Sequence, residues 1–251
     1  MPSSASIPPS MSSPRGDERR DEVLRVAIDV FGESGFAGGR IDEVARRVGI
    51  RRPSVLYHFP DKSTLYRAAL ARVVEEITRL VVETEVAAAP ADQRLQSIVD
   101  AWIDFVIDRQ WAARLMLRQM IDETPGAAPD EAIGPVATLL ASLQRALDEQ
   151  VGPSASARIE ASEFALILSS TTLVWVASSR AVEDALGLRT LEPEAIERHR
   201  ATLRSLVGQL VAAARSAEPS AGRSGSNRSS AAESGIAAGS PTEHPEPRSL
   251  R

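Results

Sequence analysis

The chain of 251 residues reads as all-α. Three observations carry that reading. Apolar residues recur three and four positions apart over most of the length. No stretch alternates apolar and polar residues as a half-buried strand would. Gly and Pro interrupt the periodic stretches at helix-length intervals. Val and Ile are frequent, but they fall on the helical stripes.

The elements follow in order. Leu24, Ala27, Ile28 and Phe31 define a first helix, with Asp17, Glu18, Asp21 and Glu22 in or near its first turn, where carboxylates favour the positive end. Gly35 is its expected stop. Ile41, Val44, Ala45 and Val48 mark one face of a short second helix, with Asp42 and Glu43 in its first turn and Gly49 at its end. A short third helix starts near Pro53, which needs no backbone donor in a first turn. It carries Val55, Leu56 and Phe59 and stops at Pro60, because the residue before Pro avoids the helical region. Asp61 can cap a long fourth helix over 62–86, with Thr64 at the third position. Leu65, Ala69, Val73, Ile77, Leu80 and Val81 form its stripe. Further helices are expected at 92–107, 109–122, 134–151, 154–183 and 193–214, separated by Pro125, Gly126, Pro129, Gly152, Pro153, Gly187 and Pro193. The stretch 122–131 is either a pocket rim or a plain connection.

Composition divides the chain. Residues 1–16 hold six Ser and four Pro, and 216–251 hold nine Ser, six Ala, four Pro and four Gly. Neither end can bury enough to offset its ordering entropy, so both are expected to be disordered tails. The folded part is then 17–215, split into 17–66 and 67–215. The formal net charge is −5. Residues 15–66 nevertheless carry ten basic and nine acidic side chains, against fifteen and twenty-one in 67–215. A polyanion is better met by the first part.

Much is excluded. With no cysteine, there is no disulfide, thiol chemistry or thiolate metal site. His58, His199 and His244 are the only histidines, so no metal centre or cofactor is expected. Neither a P-loop nor a dinucleotide fingerprint is present, and no enzyme is predicted. No signal peptide and no apolar run of membrane-spanning length is visible, so the default is a cytoplasmic protein without membrane attachment.

The two short helices around Gly49, backed by a longer first helix, form a helix-turn-helix pattern. The second helix of such a pair must lock one apolar face inward and show base edges a polar one. Val55 and Phe59 suit the first task. Arg51, Arg52, Ser54, Tyr57 and His58 remain for the groove or the backbone. Arg40, Arg46, Arg47, Arg51 and Arg52 fall within thirteen residues. Arg reads guanine bidentately or clamps a phosphate, and Lys62 beside the start of the fourth helix can grip another. A merely solvated charged face fits the spacing nearly as well.

The stretch Val23 to Leu70 resembles the N-terminal domain of the TetR family of one-component transcriptional regulators. The matching pieces are Ala27-Ile28-Asp29-Val30-Phe31, Gly35-Phe36, Ile41-Asp42-Glu43-Val44-Ala45, Val48-Gly49-Ile50 and Tyr57-His58-Phe59-Pro60-Asp61-Lys62-Ser63-Thr64-Leu65. The resemblance implies that Tyr57, His58 and Lys62 contact the DNA backbone, and that Arg52 and Ser54 approach the operator. Three departures stand out. Arg40 replaces the usual hydroxyl cap, at a cost of roughly 0.5–2 kcal/mol if nothing takes its place. Arg51 and Pro53 replace a small hydroxyl and a Gly, and Leu56 stands where the family often has Tyr. A more Arg-driven readout is the expectation.

From residue 67 onward the resemblance lies in layout alone. It implies a ligand-binding and dimerisation domain, hence a TetR-like fold overall. The almost continuously apolar stretch 164–177 needs cover on every side. Ile196, Leu203, Val207, Leu210 and Val211 form a stripe on the last helix. A four-helix homodimer interface built from 154–183 and 193–214 is expected, the alternative being that both helices only complete a monomer core. Candidate lining for a small, largely apolar effector is Trp102, Phe105, Val106, Trp111, Leu115, Met116, Met120, Phe164, Leu168 and Trp175, residues that would equally fill any helical core. Arg109, Arg114 and Arg118 flank this stretch, either to meet an acidic head group or simply as exposed surface. The expected function is a ligand-responsive repressor that binds a near-palindromic double-stranded DNA operator as a dimer. The alternatives are an activator or global regulator on the same fold and, more distantly, a helical structural dimer without specific DNA binding.

Overall fold

A computed structural model describes residues 14–87, 90, 93–121, 130–152, 156 and 159–216. Of the two expected tails, 1–13 and 217–251 lie outside them, as does 122–129; residues 14–16 and 216, expected in the tails, are helical. Ten helices are present among the described residues: α1 (Pro14–Gly38), α2 (Ile41–Val48), α3 (Arg52–His58), α4 (Lys62–Val86), α5 (Arg94–Asp108), α6 (Gln110–Ile121), α7 (Asp130–Val151), α8 (Ala161–Ala177), α9 (Ser179–Leu186) and α10 (Pro193–Ser216).

The first four helices start and stop where their local chemistry dictates. Gly35 interrupts α1 at φ 68°, ψ 179°, a conformation that costs Gly little. Gly49 ends α2 in the left-handed region, φ 77°. Around it the Gly49 amide donates to the Arg46 carbonyl at 3.2 Å and the Ile50 amide to the Ala45 carbonyl at 2.9 Å. Two of the orphan carbonyls of the helix end are thereby satisfied. Arg40 starts α2 with extended backbone and no side-chain cap, as the sequence implied. Asp61 caps α4 by accepting from the Thr64 amide at 2.7 Å.

Two expectations are corrected beyond α4. The single helix expected over 154–183 is two, α8 and α9, bent by 55°. The Ser178 hydroxyl donates to the Val174 carbonyl at 2.6 Å, a back-bond that loosens the helix at that point. At its start, α8 has no side-chain cap of its own. The Gln144 side chain of α7 accepts from the Ala161 amide at 3.2 Å instead. The stripe on α10 is the second correction. Leu203, Val207 and Val211 are buried within the same chain, where α10 packs on α5 and α7. Ion pairs reinforce that seam, with Arg200 bound to Asp104 at 2.5 Å and Arg204 bound to Asp100. The stripe therefore completes this chain's core rather than facing a partner.

One apolar core runs through the described helices. It holds Phe31, Phe59 and Leu65 at the N-terminal end and Ile103, Leu115, Leu147 and Leu173 further on. Tyr66 joins α1 to α4, meeting both Phe31 and Phe36 edge-on at 5.1 Å. At Gly32, α1 lies directly on the backbone of α6. A Cβ there would overlap the Trp111 carbonyl.

Candidate nucleic-acid interface

Helix α3 separates its faces as a reading helix must. Val55 and Phe59 are fully buried against α1 and α2 neighbours in the core. Arg51, Arg52, Ser54 and Tyr57 are exposed, as is Arg40 at the start of α2. Tyr57 is 86% exposed, a large ring held in water. His58 is half-buried, its ring edge-on to Tyr57 at 5.2 Å. Lys62 is placed differently. It is half-buried, donates to the Ala37 carbonyl at 3.0 Å, and lies over the Phe36 ring at 4.8 Å. Lys62 thus ties the start of α4 to the end of α1. Arg20 sits over Phe59 at 5.1 Å, closing α3 onto α1.

The five clustered arginines are not equivalent. Arg47 bridges two carboxylates, Glu33 at 2.6 Å and Glu43 at 2.7 Å. Arg46 also binds Glu43, at 2.7 Å. These hydrogen bonds, first from Arg46 and then from Arg47, hold the Glu43 carboxyl down to about 2. Arg52 meets Asp42 at 3.3 Å with both side chains more than half exposed. Arg40 and Arg51 have no carboxylate partner among the described residues. Exposed pairs of this kind contribute about 0–1 kcal/mol, so phosphates can replace them at little cost. Glu33 was not singled out in the sequence. It lies fourteen positions from Arg47, and only the packing of α1 on α2 brings them together.

The effector candidates are dispersed. Trp102, Phe105, Phe164 and Leu168 are buried in the core, Trp111, Met116 and Trp175 are half-buried, and Met120 is 47% exposed. Trp102 and Phe105 stack at 6.3 Å, and Trp175 stacks on His199 at 4.2 Å and 2°. Burial pushes the His199 imidazole below its usual range. A cleft of about 700 Å³ opens between α1, α4 and α6, and of these eight candidates only Trp111 lines it. Six carboxylates and three arginines dominate its wall. Arg109 belongs to this cleft, paired with Glu76 at 3.3 Å.

Helices α8 and α10 leave a second kind of surface. Leu166 is 57%, Ile167 53%, Val174 48% and Leu206 51% exposed, beside exposed Ser170, Thr171, Ala212 and Ala213. The Trp175–His199 stack joins the two helices. Among the described residues no single helix is long and apolar enough to cross a membrane.

A three-helix unit with a capped Gly turn, an outward polar α3 and a larger helical body defines a helix-turn-helix protein of all-α class. Residues 23–69 match the family profile described as bacterial regulatory proteins, tetR family. Residues 23–69 therefore form a tetR-family helix-turn-helix domain. The chain is 36% identical over 90 residues to the transcriptional activator FasR of Mycolicibacterium smegmatis, covering 36% of this chain and 41% of that protein. It is 33% identical over 57 residues to the transcriptional regulator RutR of Escherichia coli, covering 23% and 27%. The chain therefore spans less than half the length of these two relatives. A tetR-family transcriptional regulator from Streptomyces coelicolor has a similar solved structure, with TM-score 0.52 and 25% identity over 85% of this chain and 94% of that one.

Proposed function

We propose that this chain is a sequence-specific, ligand-responsive transcriptional repressor that acts as a homodimer on a near-palindromic operator in the cytoplasm. Residues 17–66 bind DNA, and 67–215 bind the effector and hold the dimer. The observation that carries this reading is the pairing of two unlike exposed surfaces in one chain: the cationic face of α3 and the apolar face of α8 and α10. The first suits phosphates and base edges. The second suits a copy of itself, because the adjoining faces of two helices can form a four-helix contact about a twofold axis. Two reading helices so related enter successive major grooves about 34–36 Å apart.

In this reading Arg51, Arg52 and Ser54 meet base edges, while Arg40, Tyr57 and His58 fix register on phosphates. Lys62 acts through its hold on the Ala37 carbonyl as well as on a phosphate. The effector is assigned to the core at Trp102, Phe105, Phe164 and Leu168, buried side chains that must part to admit it, with Trp111, Met116, Met120 and Trp175 as the less buried candidates. The indole N–H of Trp102 supports this. It is buried with no hydrogen-bond acceptor among the described residues, and a largely apolar ligand with one acceptor would satisfy it. Effector binding then shifts the population toward a dimer whose α3 helices no longer match the groove spacing. An activator role on the same fold is the second reading, favoured by the relative FasR, which is itself an activator. No catalysis is proposed.

The test is selection of bound fragments from sheared genomic DNA, at physiological salt with nonspecific competitor. A recovered palindrome is expected. Recovery of random fragments, with and without cell extract, defeats the proposal, because electrostatic affinity alone lacks sequence preference.

A further inference from the structure

Two adjoining clefts, of about 310 and 490 Å³, run between α6, α8 and α9 and share Arg114 and Arg180. Arg118 lines the second. None of the three arginines has a carboxylate partner among the described residues. This sets them apart from Arg189 in the same groove, which binds Glu183 at 3.2 Å and Glu192 at 2.7 Å. The Arg114 side chain is half-buried, lies over the Trp111 ring at 4.6 Å, and has its Nε buried with no hydrogen-bond partner among the described residues. A guanidinium donor withheld from water and left unpaired is costly unless something accepts from it. Beside these cations the second cleft is lined by Leu117, Ile121, Ala177 and Ala181 and by one carboxylate, Asp184, while Glu183 and Glu192 of the first cleft are taken up by Arg189.

We infer that this groove is a binding site for an organic anion, with a carboxylate or phosphate head held by Arg114, Arg118 and Arg180 and an apolar body lying along α6. Arginine forks suit either head group, since both accept two parallel hydrogen bonds. The site is separate from the effector core, and arginines outnumber carboxylates in it, whereas carboxylates outnumber arginines in the cleft between α1 and α4. Arg109, which flanks the same helix in sequence, belongs to that other cleft and takes no part.

The test is calorimetric titration of the full-length chain without DNA, using decanoate, decyl phosphate, decylamine and decanol. At least one anion binds ~10-fold or more tighter than decanol and decylamine, and Arg114→Gln and Arg180→Gln each weaken it about 10–100-fold, as loss of a charge-assisted hydrogen bond requires. Arg109→Gln leaves it unchanged. The ranking of decanoate against decyl phosphate selects the head group. The inference is overturned if neither anion exceeds decanol, if the preference survives both groove substitutions, or if Arg109→Gln weakens binding as much as they do. With no DNA present, its failure is distinct from a failure of operator binding.

Discussion

Helices α3 and α8 both leave one face uncovered, but with opposite chemistry. At α3 the uncovered residues include Arg51 just before it and Arg52, Ser54 and Tyr57 within it. On α8 they are Leu166, Ile167, Ser170, Thr171 and Val174. Water tolerates the first face indefinitely. Leaving the second in water forfeits about 25 cal/mol for each Å² of apolar surface that could be covered. The contrast teaches that exposure alone does not define a partner. The exposed chemistry of α3 asks for a polyanion, and that of α8 for another apolar face.

The largest expected break of this comparison comes from the apolar side. Ile167→Asp places a charge on the α8 face proposed to meet a partner helix. Sedimentation should then show a monomer, and operator affinity should fall roughly 10²–10⁴-fold as the two half-sites lose their linkage. A dimer that persists would reassign the α8 face. Next, on the cationic side, Arg52→Ala should relax preference at one base pair by about 1–3 kcal/mol in a binding competition across operator variants. Uniform weakening of all sequences would make Arg52 a phosphate contact. A smaller effect separates scaffold from surface: Asp61→Ala removes the α4 cap and should lower stability to urea by about 0.5–2 kcal/mol without touching either face.

The smallest effect concerns pH. Glu43 is held at about 2 in the fold, below its ordinary 4.5. A depressed carboxyl favours the fold above its unfolded pKa and loses that contribution as pH falls toward the folded value. The stability difference between the parent and Glu43→Gln should therefore be constant near neutrality and shrink between pH 4.5 and 2, as read by denaturant melts at each pH. His199 behaves alike at higher pH. Its imidazole lies below 6.5, so acidification through that value costs stability, and His199→Gln should remove this dependence.

Legibility in the sequence followed the distance over which each feature is determined. Gly49, Pro53, Pro60 and Asp61 act on their own neighbours, so the bounds of α2, α3 and α4 could be read directly. The start of α8 could not, because its first amide is satisfied by Gln144, seventeen residues earlier on α7. Nor could its end, since Ser is not a breaker until its hydroxyl turns back on the helix. Periodicity placed Leu203, Val207 and Val211 on one face of α10 but had no means of saying whether that face looks inward. The arginine cluster was plain as composition. Its division into bridged Arg47 and unpaired Arg40 and Arg51 required Glu33 to be seen across α1. Arg180 joined Arg114 only through the bend between α8 and α9.

The contact at Gly32 has a mechanical meaning. Side chains between two helices act as cushions, since a change of rotamer can absorb a small displacement. Between α1 and α6 at Gly32 there is no cushion, only main chain against the Trp111 carbonyl. A push along α6 is delivered to α1 at full amplitude, or else it is stopped there. Even one methyl group at this position wedges the two apart, at about 1–3 kcal/mol for an overpacked contact, and the stiffness of the joint between the reading head and the rest of the chain rests on a single hydrogen atom.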